Sequence, residues 1–197
     1  GQLVVDECNR VGVLLDCSHI GRRASLEIID RSSQPVVFSH SNVKAIVDNP
    51  RNIDDEQIKS CAAKGGVIGV APWGPLVLKE GSTTWPTVDD LVEHIEYIVQ
   101  LTGSIDHVGI GTDMSLGTYP YHEHDPWGEP DYPNYTARYD EHITSDVRSR
   151  LRGIDGFSTY PEVRTLIDRL LARGYSDADI RKLLGENYLR VFEQVWR

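Results

Sequence analysis

The sequence is short of cysteine, of positive charge and of long apolar runs, and each shortage disfavours a class of protein. Its three cysteines, Cys8, Cys17 and Cys61, are an odd number and none forms a C-x-x-C pair. A disulfide scaffold is not expected; buried reduced thiols are, and they favour a reducing compartment, the cytoplasm. No run approaches the roughly 18 apolar residues of a membrane-spanning helix. Lys and Arg number 20 against 30 Asp and Glu, a formal net charge of -10, and no basic stripe stands out. Nucleic acid is therefore not an expected partner, since phosphate binding needs clustered Lys and Arg. Signal peptide and lipidation motifs are also missing. The chain opens Gly1-Gln2-Leu3 without an initiator Met, so the natural start is expected upstream.

What is there is an ordinary globular composition, 40% hydrophobic and 25% charged over 197 residues. Four apolar runs look like strands: Val11 to Leu15, Pro35 to Phe38, Gly66 to Ala71, and His107 to Gly111. None alternates, which suits strands buried on both faces of a parallel sheet. Helical patterns lie between them. Leu3 to Arg10 resembles a helix tail, Ala24 to Asp30 a short helix, and Asp54 to Lys64 a helix capped by Asp54 with Gln57 at its third position. Thr87 to Thr102 carries an apolar stripe, with a Thr87/Asp90 capping box and Gly103 as its stop. Its His94 falls among polar neighbours and is expected to be exposed. Residues 114–157 form a long polar and aromatic stretch, expected to be a loop. Helices are expected again at Pro161–Arg173, with Val163, Leu166, Ile167, Leu170 and Leu171 inward, then at Asp177–Leu184 behind Ser176, and at Asn187–Trp196. Alternating strands and helices point to a parallel α/β fold.

In such folds, sites form at the carboxyl ends of strands. Three of the four strand ends carry His19, His40 and Asp113. Two imidazoles and a carboxylate there match part of a catalytic zinc site. A single histidine after a strand is commonly a hydrogen-bonded structural residue; two at matching positions favour the metal. Asp113 could also cap a turn, and Cys17 reads better as a buried thiol than as a ligand. Tyr121-His122-Glu123-His124-Asp125 has a metal-binding composition, but without a strand context it reads as a solvated loop. Trp73, Trp85 and Trp127 could line a pocket or pack loops.

Taken together, several segments resemble the C-terminal half of the membrane dipeptidase (renal dipeptidase) family of zinc peptidases. They are Gly12-Val13-Leu14-Leu15-Asp16-Cys17-Ser18-His19, Pro35-Val36-Val37-Phe38-Ser39-His40-Ser41-Asn42, Pro50-Arg51-Asn52-Ile53-Asp54-Asp55, Gly65-Gly66-Val67-Ile68-Gly69-Val70, Asp106-His107-Val108-Gly109-Ile110-Gly111-Thr112-Asp113 and Gly185-Glu186-Asn187-Tyr188-Leu189-Arg190-Val191-Phe192. The resemblance implies an α/β fold, a (β/α)8 TIM barrel of the metal-dependent amidohydrolase type. This chain would supply about the last four βα units plus the C-terminal helices, with residues 1–197 as part of one barrel domain. A complete barrel needs about 250 residues, so a fragment, an incompletely represented chain or one piece of a split chain is expected.

The resemblance also implies a zinc-dependent dipeptidase with two Zn2+ per complete site. His19 and His40 would be ligands of one zinc, Arg51 would grip the substrate carboxylate, and Asp113 would handle protons or meet the substrate amine. The family's His-x-Asp, its bridging Glu and a substrate-binding His belong to the half that has no counterpart here. The family commonly has an Asp two positions after the one matching Asp113; here it is Ser115. The stretch that follows is longer than in the renal enzyme. A small dipeptide substrate and a homodimer are the implied partners. The alternatives are another hydrolase on the same metals, acting on a lactam, cyclic amide or ester, a decarboxylase, or an inactive half barrel that binds a metal or partner without turnover.

Overall fold

Four short strands lie side by side and parallel, in the order of the chain: β1 (Leu15–Asp16), β2 (Val36–Phe38), β3 (Val67–Val70) and β4 (Val108–Ile110). The computed structural model describes residues 1–114 and 153–196. In register, Leu15 faces Val36, Val37 faces Val67, and Ile68 faces Val108. Helices link successive strands: α2 (Arg22–Arg31), α3 (Asp55–Ala63), and the short α4 (Gly74–Val77) with the longer α5 (Val88–Thr102). Helix α1 (Gln2–Val11) precedes the sheet. A 3-10 turn at Tyr160–Glu162 leads into α6 (Val163–Ala172), followed by α7 (Asp177–Arg181), a wide turn over Lys182–Glu186, and α8 (Asn187–Val195).

Both faces of the sheet are covered, which explains its unbroken apolar runs. Val36, Phe38, Ile68, Val70 and Val108 pack against Ile58 and Cys61 of α3 and Leu91, Ile95 and Ile98 of α5. On the opposite face Val37 and Val67 meet Val191, Val195 and Tyr188 of α8. The glycines at Gly69 and Gly109 make room there. A Cβ at Gly69 would lie 2.3 Å from the Tyr188 hydroxyl, and one at Gly109 2.5 Å from its ring. Arg190 ties α8 to the amino ends of β3 and β4, donating to the carbonyls of Gly65 and Asp106 at 2.8 Å each.

Several expectations change. The apolar run Val11 to Leu15 is not one strand, because α1 continues to Val11 and stops at Gly12. Gly12 takes a left-handed φ of 75° and returns its N–H to Cys8. His94 is fully buried rather than exposed. It sits three residues after Leu91 and four before Ile98, on the helix's inward stripe, and its Nδ1 accepts the Val43 N–H at 3.0 Å. Leu171 is exposed, whereas Leu166 and Leu170 carry the contact of α6 with the core. The capping boxes at Asp54/Gln57 and Thr87/Asp90 are both formed.

The end of the 114–157 stretch is packed. Gly153 bridges Trp73, Asp155 bridges Thr87, and Ile154 and Phe157 are buried. Trp85 packs loops here: its indole N–H donates to the Gly153 carbonyl at 2.8 Å. Residues 115–152, with His122, His124 and Trp127, lie outside the described residues. Cys17 and Cys61 are buried free thiols, and Cys8 is half-buried.

Candidate metal centre

Beyond β1 the chain turns tightly. Asp16 accepts the Ser18 N–H at 2.9 Å, an Asx-type turn that swings the chain back over the end of the sheet. His19 follows with a φ of 61°. That left-handed conformation is uncommon for a side-chain-bearing residue and costs about 1 kcal/mol or more, so it persists where its surroundings enforce it. His40 stands two residues past β2, and its backbone N–H donates to the Ser18 hydroxyl at 3.0 Å. The turn after β1 thereby fixes the end of β2.

The two imidazoles meet. Their Nε2 atoms lie 2.8 Å apart, with ring centroids at 4.8 Å and planes tilted by 54°. A tetrahedral zinc with bonds of about 2.0–2.1 Å spaces its nitrogen ligands by about 3.3 Å, so a slight opening of the pair would admit the ion. The donor chemistry fits, but it is only part of a ligand set. Among the described residues no group of three His, Cys, Asp or Glu side chains could hold a metal ion.

Among the described residues, Asp113 is the other side-chain-bearing residue with a left-handed backbone, at a φ of 50°. Its turn is tied down by Tyr160, whose hydroxyl donates to the Met114 carbonyl at 2.7 Å. The chain is close to β2 here: a Cβ at Gly111 would lie 1.7 Å from the Ser39 carbonyl oxygen. The ends of β2 and β4 thus approach each other across β3, which curves the sheet toward the site.

Arg51 arrives on the loop between β2 and α3, and three buried asparagines hold that loop. Asn42 pairs with Ala71 through both amide atoms, accepting at 2.7 Å and donating at 3.0 Å. Asn49 donates to Pro75, and Asn52 donates to both Val47 and Leu76. Arg51 and His19 line one cavity of about 450 Å3, together with Ser41, Lys44 and Asn52. His19 senses all of its neighbours. Burial, then the charges of Arg51 and His40, push its pKa below the ordinary imidazole value, while Asp113 and Asp16 pull the other way. His19, His40 and Asp113 therefore gather at one end of the sheet, as their strand-end positions suggest, and Arg51 joins them from the loop between β2 and α3. Cys17, with its thiol pushed up to about 12 by burial, stays a protonated core residue.

Sequence reasoning passed over Asp16 and Ser39, which carry His40, the asparagines that carry Arg51, and Tyr160. Asp16 had a visible signal, a carboxylate ending an apolar run just before Ser-His. Buried asparagines have none, because their residue type is the same in solvated turns.

A model of the membrane dipeptidase family, peptidase family M19, matches residues 1–126 and 142–197. The chain belongs to this family. Among curated relatives, dipeptidase tcpJ of Claviceps purpurea is 28% identical over 197 residues, which is 99% of this chain and 37% of that protein. Dipeptidase verJ of Clonostachys rogersoniana is 28% identical over 195 residues, 99% of this chain and 40% of that one. The M19 chain described here thus spans about two fifths of the length of these relatives. Among solved structures, an amidohydrolase from Pseudomonas aeruginosa superposes with a TM-score of 0.76 at 33% identity, over 100% of this chain and 56% of its own. A metallopeptidase from Rhodobacter sphaeroides, liganded with a phosphinate mimic of the dipeptide L-Ala-D-Ala, gives 0.75 at 23% identity over 100% of this chain and 46% of its own. The fold is of the TIM-barrel type of these structural neighbours, with four parallel strands among the described residues.

Proposed function

We propose that the protein carrying this chain is a zinc-dependent dipeptidase. The observation that carries the reading is the meeting of the His19 and His40 Nε2 atoms at the carboxyl ends of β1 and β2, beside a cavity that also holds Arg51. His19 and His40 would hold one of two zinc ions, and the remaining ligands would come from outside the described residues. Bound zinc supplies a Lewis acid that polarises a carbonyl and lowers the pKa of water toward neutrality. Arg51 presents a planar guanidinium that suits the substrate's terminal carboxylate. Asp113, close enough to act on the charge of His19, would move protons or meet the substrate amine. The dipeptide mimic in the Rhodobacter metallopeptidase and the named dipeptidases support the substrate class. A homodimer and a cytoplasmic setting complete the proposal; the free, buried Cys17 and Cys61 support a reducing compartment.

One experiment tests metal and substrate together. Zinc content and kcat/KM would be measured in the full protein for a dipeptide and its amide. His19→Ala and His40→Ala should lose hydrolysis and zinc. Arg51→Lys keeps the charge but loses the fork, and should lower kcat/KM on the free dipeptide by about 10- to 100-fold with little further loss on the amide. Unchanged zinc and activity in both histidine variants would make these structural residues. Equal losses on dipeptide and amide would remove Arg51 from the substrate.

A further inference from the structure

We infer that Asp16 and Ser39 are positioning residues that fix which ring nitrogen of His40 carries a proton, and so leave its Nε2 free to bind metal. The inference rests on His40 being a metal ligand. The Ser39 hydroxyl lies 2.5 Å from Asp16 Oδ2 and 2.7 Å from His40 Nδ1. A hydroxyl has one proton to give, and a carboxylate can only accept. Ser39 therefore donates to Asp16 and accepts from His40, which places the imidazole proton on Nδ1 and a lone pair on Nε2, facing His19 Nε2 at 2.8 Å. The contact from Ser39 to the Ser18 hydroxyl, at 3.4 Å, is too long to compete.

The geometry around this relay is fixed on every side. Asp16 Oδ1 accepts the backbone N–H of Ser18 at 2.9 Å and that of Ser39 at 3.0 Å, which orients the carboxylate and leaves Oδ2 for the hydroxyl. The Ser39 carbonyl accepts from the Tyr188 hydroxyl at 3.2 Å, with the tyrosine passing through the space left by Gly69 and Gly109. Metal-ligating histidines commonly have their second nitrogen held by a carboxylate, and loss of such a partner costs about 10- to 100-fold in metal affinity. Here a serine stands between the two, so the carboxylate acts on the ring at one remove.

That arrangement makes an isosteric change informative. In Asp16→Asn, the amide must keep its oxygen at the Oδ1 position, where two backbone N–H groups point. Its NH2 then faces Ser39 and donates to it. Ser39 then has no good acceptor for its own proton except His40 Nδ1, because Ser18 Oγ lies 3.4 Å away, and this favours the imidazole proton on Nε2. A residue that touches no metal would thus reverse the polarity of the relay while filling the same space.

The test uses the full protein, stripped of zinc, with the ring nitrogens of its histidines followed by 15N–1H long-range correlation. Zinc affinity is measured in parallel by competition with a chromophoric chelator. The wild type should show His40 protonated at Nδ1. Asp16→Asn should move the proton to Nε2 and weaken zinc binding by about 10- to 100-fold. Ser39→Ala should give mixed tautomers with a smaller loss, and Ser39→Thr, which keeps the hydroxyl, should restore both readouts. An Asp16→Asn protein with His40 still protonated at Nδ1 overturns the inference, whether or not zinc is lost, since loss without the tautomer change is merely structural. If Asp16→Asn fails to fold, an unchanged tautomer in Ser39→Ala overturns it equally. A wild type that binds no zinc would instead sink the ligand role of His40, while the tautomers still judge the relay.

Discussion

At the scale of the single residue, His94 shows how an inward position overrides polarity. Its spacing from Leu91 and Ile98 puts it in the core, and its Nδ1 accepts the Val43 N–H at 3.0 Å, so the neutral ring with a proton on Nε2 is the form that fits. Burial, helped by the charge of Lys79 and opposed by Asp90, pushes its pKa down to about 3. The unfolded chain takes up this proton near the ordinary value of about 6.5, and the folded chain does not until about 3, so the native state loses stability as pH falls through that window. The slope from this residue is about 1.4 kcal/mol per pH unit. Urea unfolding at pH 7.5 and pH 5 should therefore show a larger acid loss in the wild type than in His94→Gln, whose amide oxygen can still accept from Val43. Equal acid losses in the two would mean that other groups set the slope. The helix of His94 is legible in the sequence, but its face is set by the 3-and-4 spacing from Leu91 and Ile98 and not by residue type.

At the scale of the element, the packing of α8 on the sheet depends on Gly69 and Gly109, which lack a side chain. Gly109 lets the Tyr188 ring lie against β4, and Gly69 lies against both the Tyr188 hydroxyl and the Ser39 carbonyl, where a Cβ would come within 2.1 Å of backbone. Gly109→Ala should cost about 1–3 kcal/mol, the range for overpacking a filled core, and Tyr188→Leu in the same chain should recover part of it. Gly69→Ala should cost more and recover less, because a carbonyl cannot move as a side chain can. Chemical denaturation of the three single variants and the two double variants measures both effects; additive losses at Gly109 and Tyr188 would contradict the contact. The apolar runs of β2, β3 and β4 and the caps of α3 and α5 were legible because strand burial and capping boxes are local patterns. The strand ends were legible too, and with them His19, His40 and Asp113. What α8 covers was not legible, nor were the contacts of Asp16, Ser39 and Asn42, since each depends on residues brought together only by the sheet. Val11 was misplaced because a run of valine and leucine reads the same in a helix end as in a strand, and only Gly12 marks the boundary.

At the scale of the whole molecule, the four strands among the described residues form an open sheet rather than a closed ring. Among the described residues β1 pairs only with β2, so its other edge presents unpaired backbone groups. The segment leading into that edge is apolar and open, with Leu3 84% exposed and Val13 51% exposed. Structural neighbours extend to about twice this length, with the chain covering 56% and 46% of the two compared above. Sheet edges of this kind are templates for pairing, and closing a barrel removes them. Residues 1–197 produced alone should therefore self-associate, whereas the full protein should keep a fixed assembly across the same concentrations. They should also fail to hydrolyse dipeptides, because among the described residues no group of three His, Cys, Asp or Glu side chains could hold a metal ion. Sedimentation velocity over a dilution series, with Val13→Lys as the control, separates edge pairing from general stickiness. The lysine places charge beside the edge without touching the site, and it should shift the isolated piece toward monomer while the full protein is unaffected. A 1–197 protein that is monomeric at every concentration would mean that this half of the barrel closes its own edge.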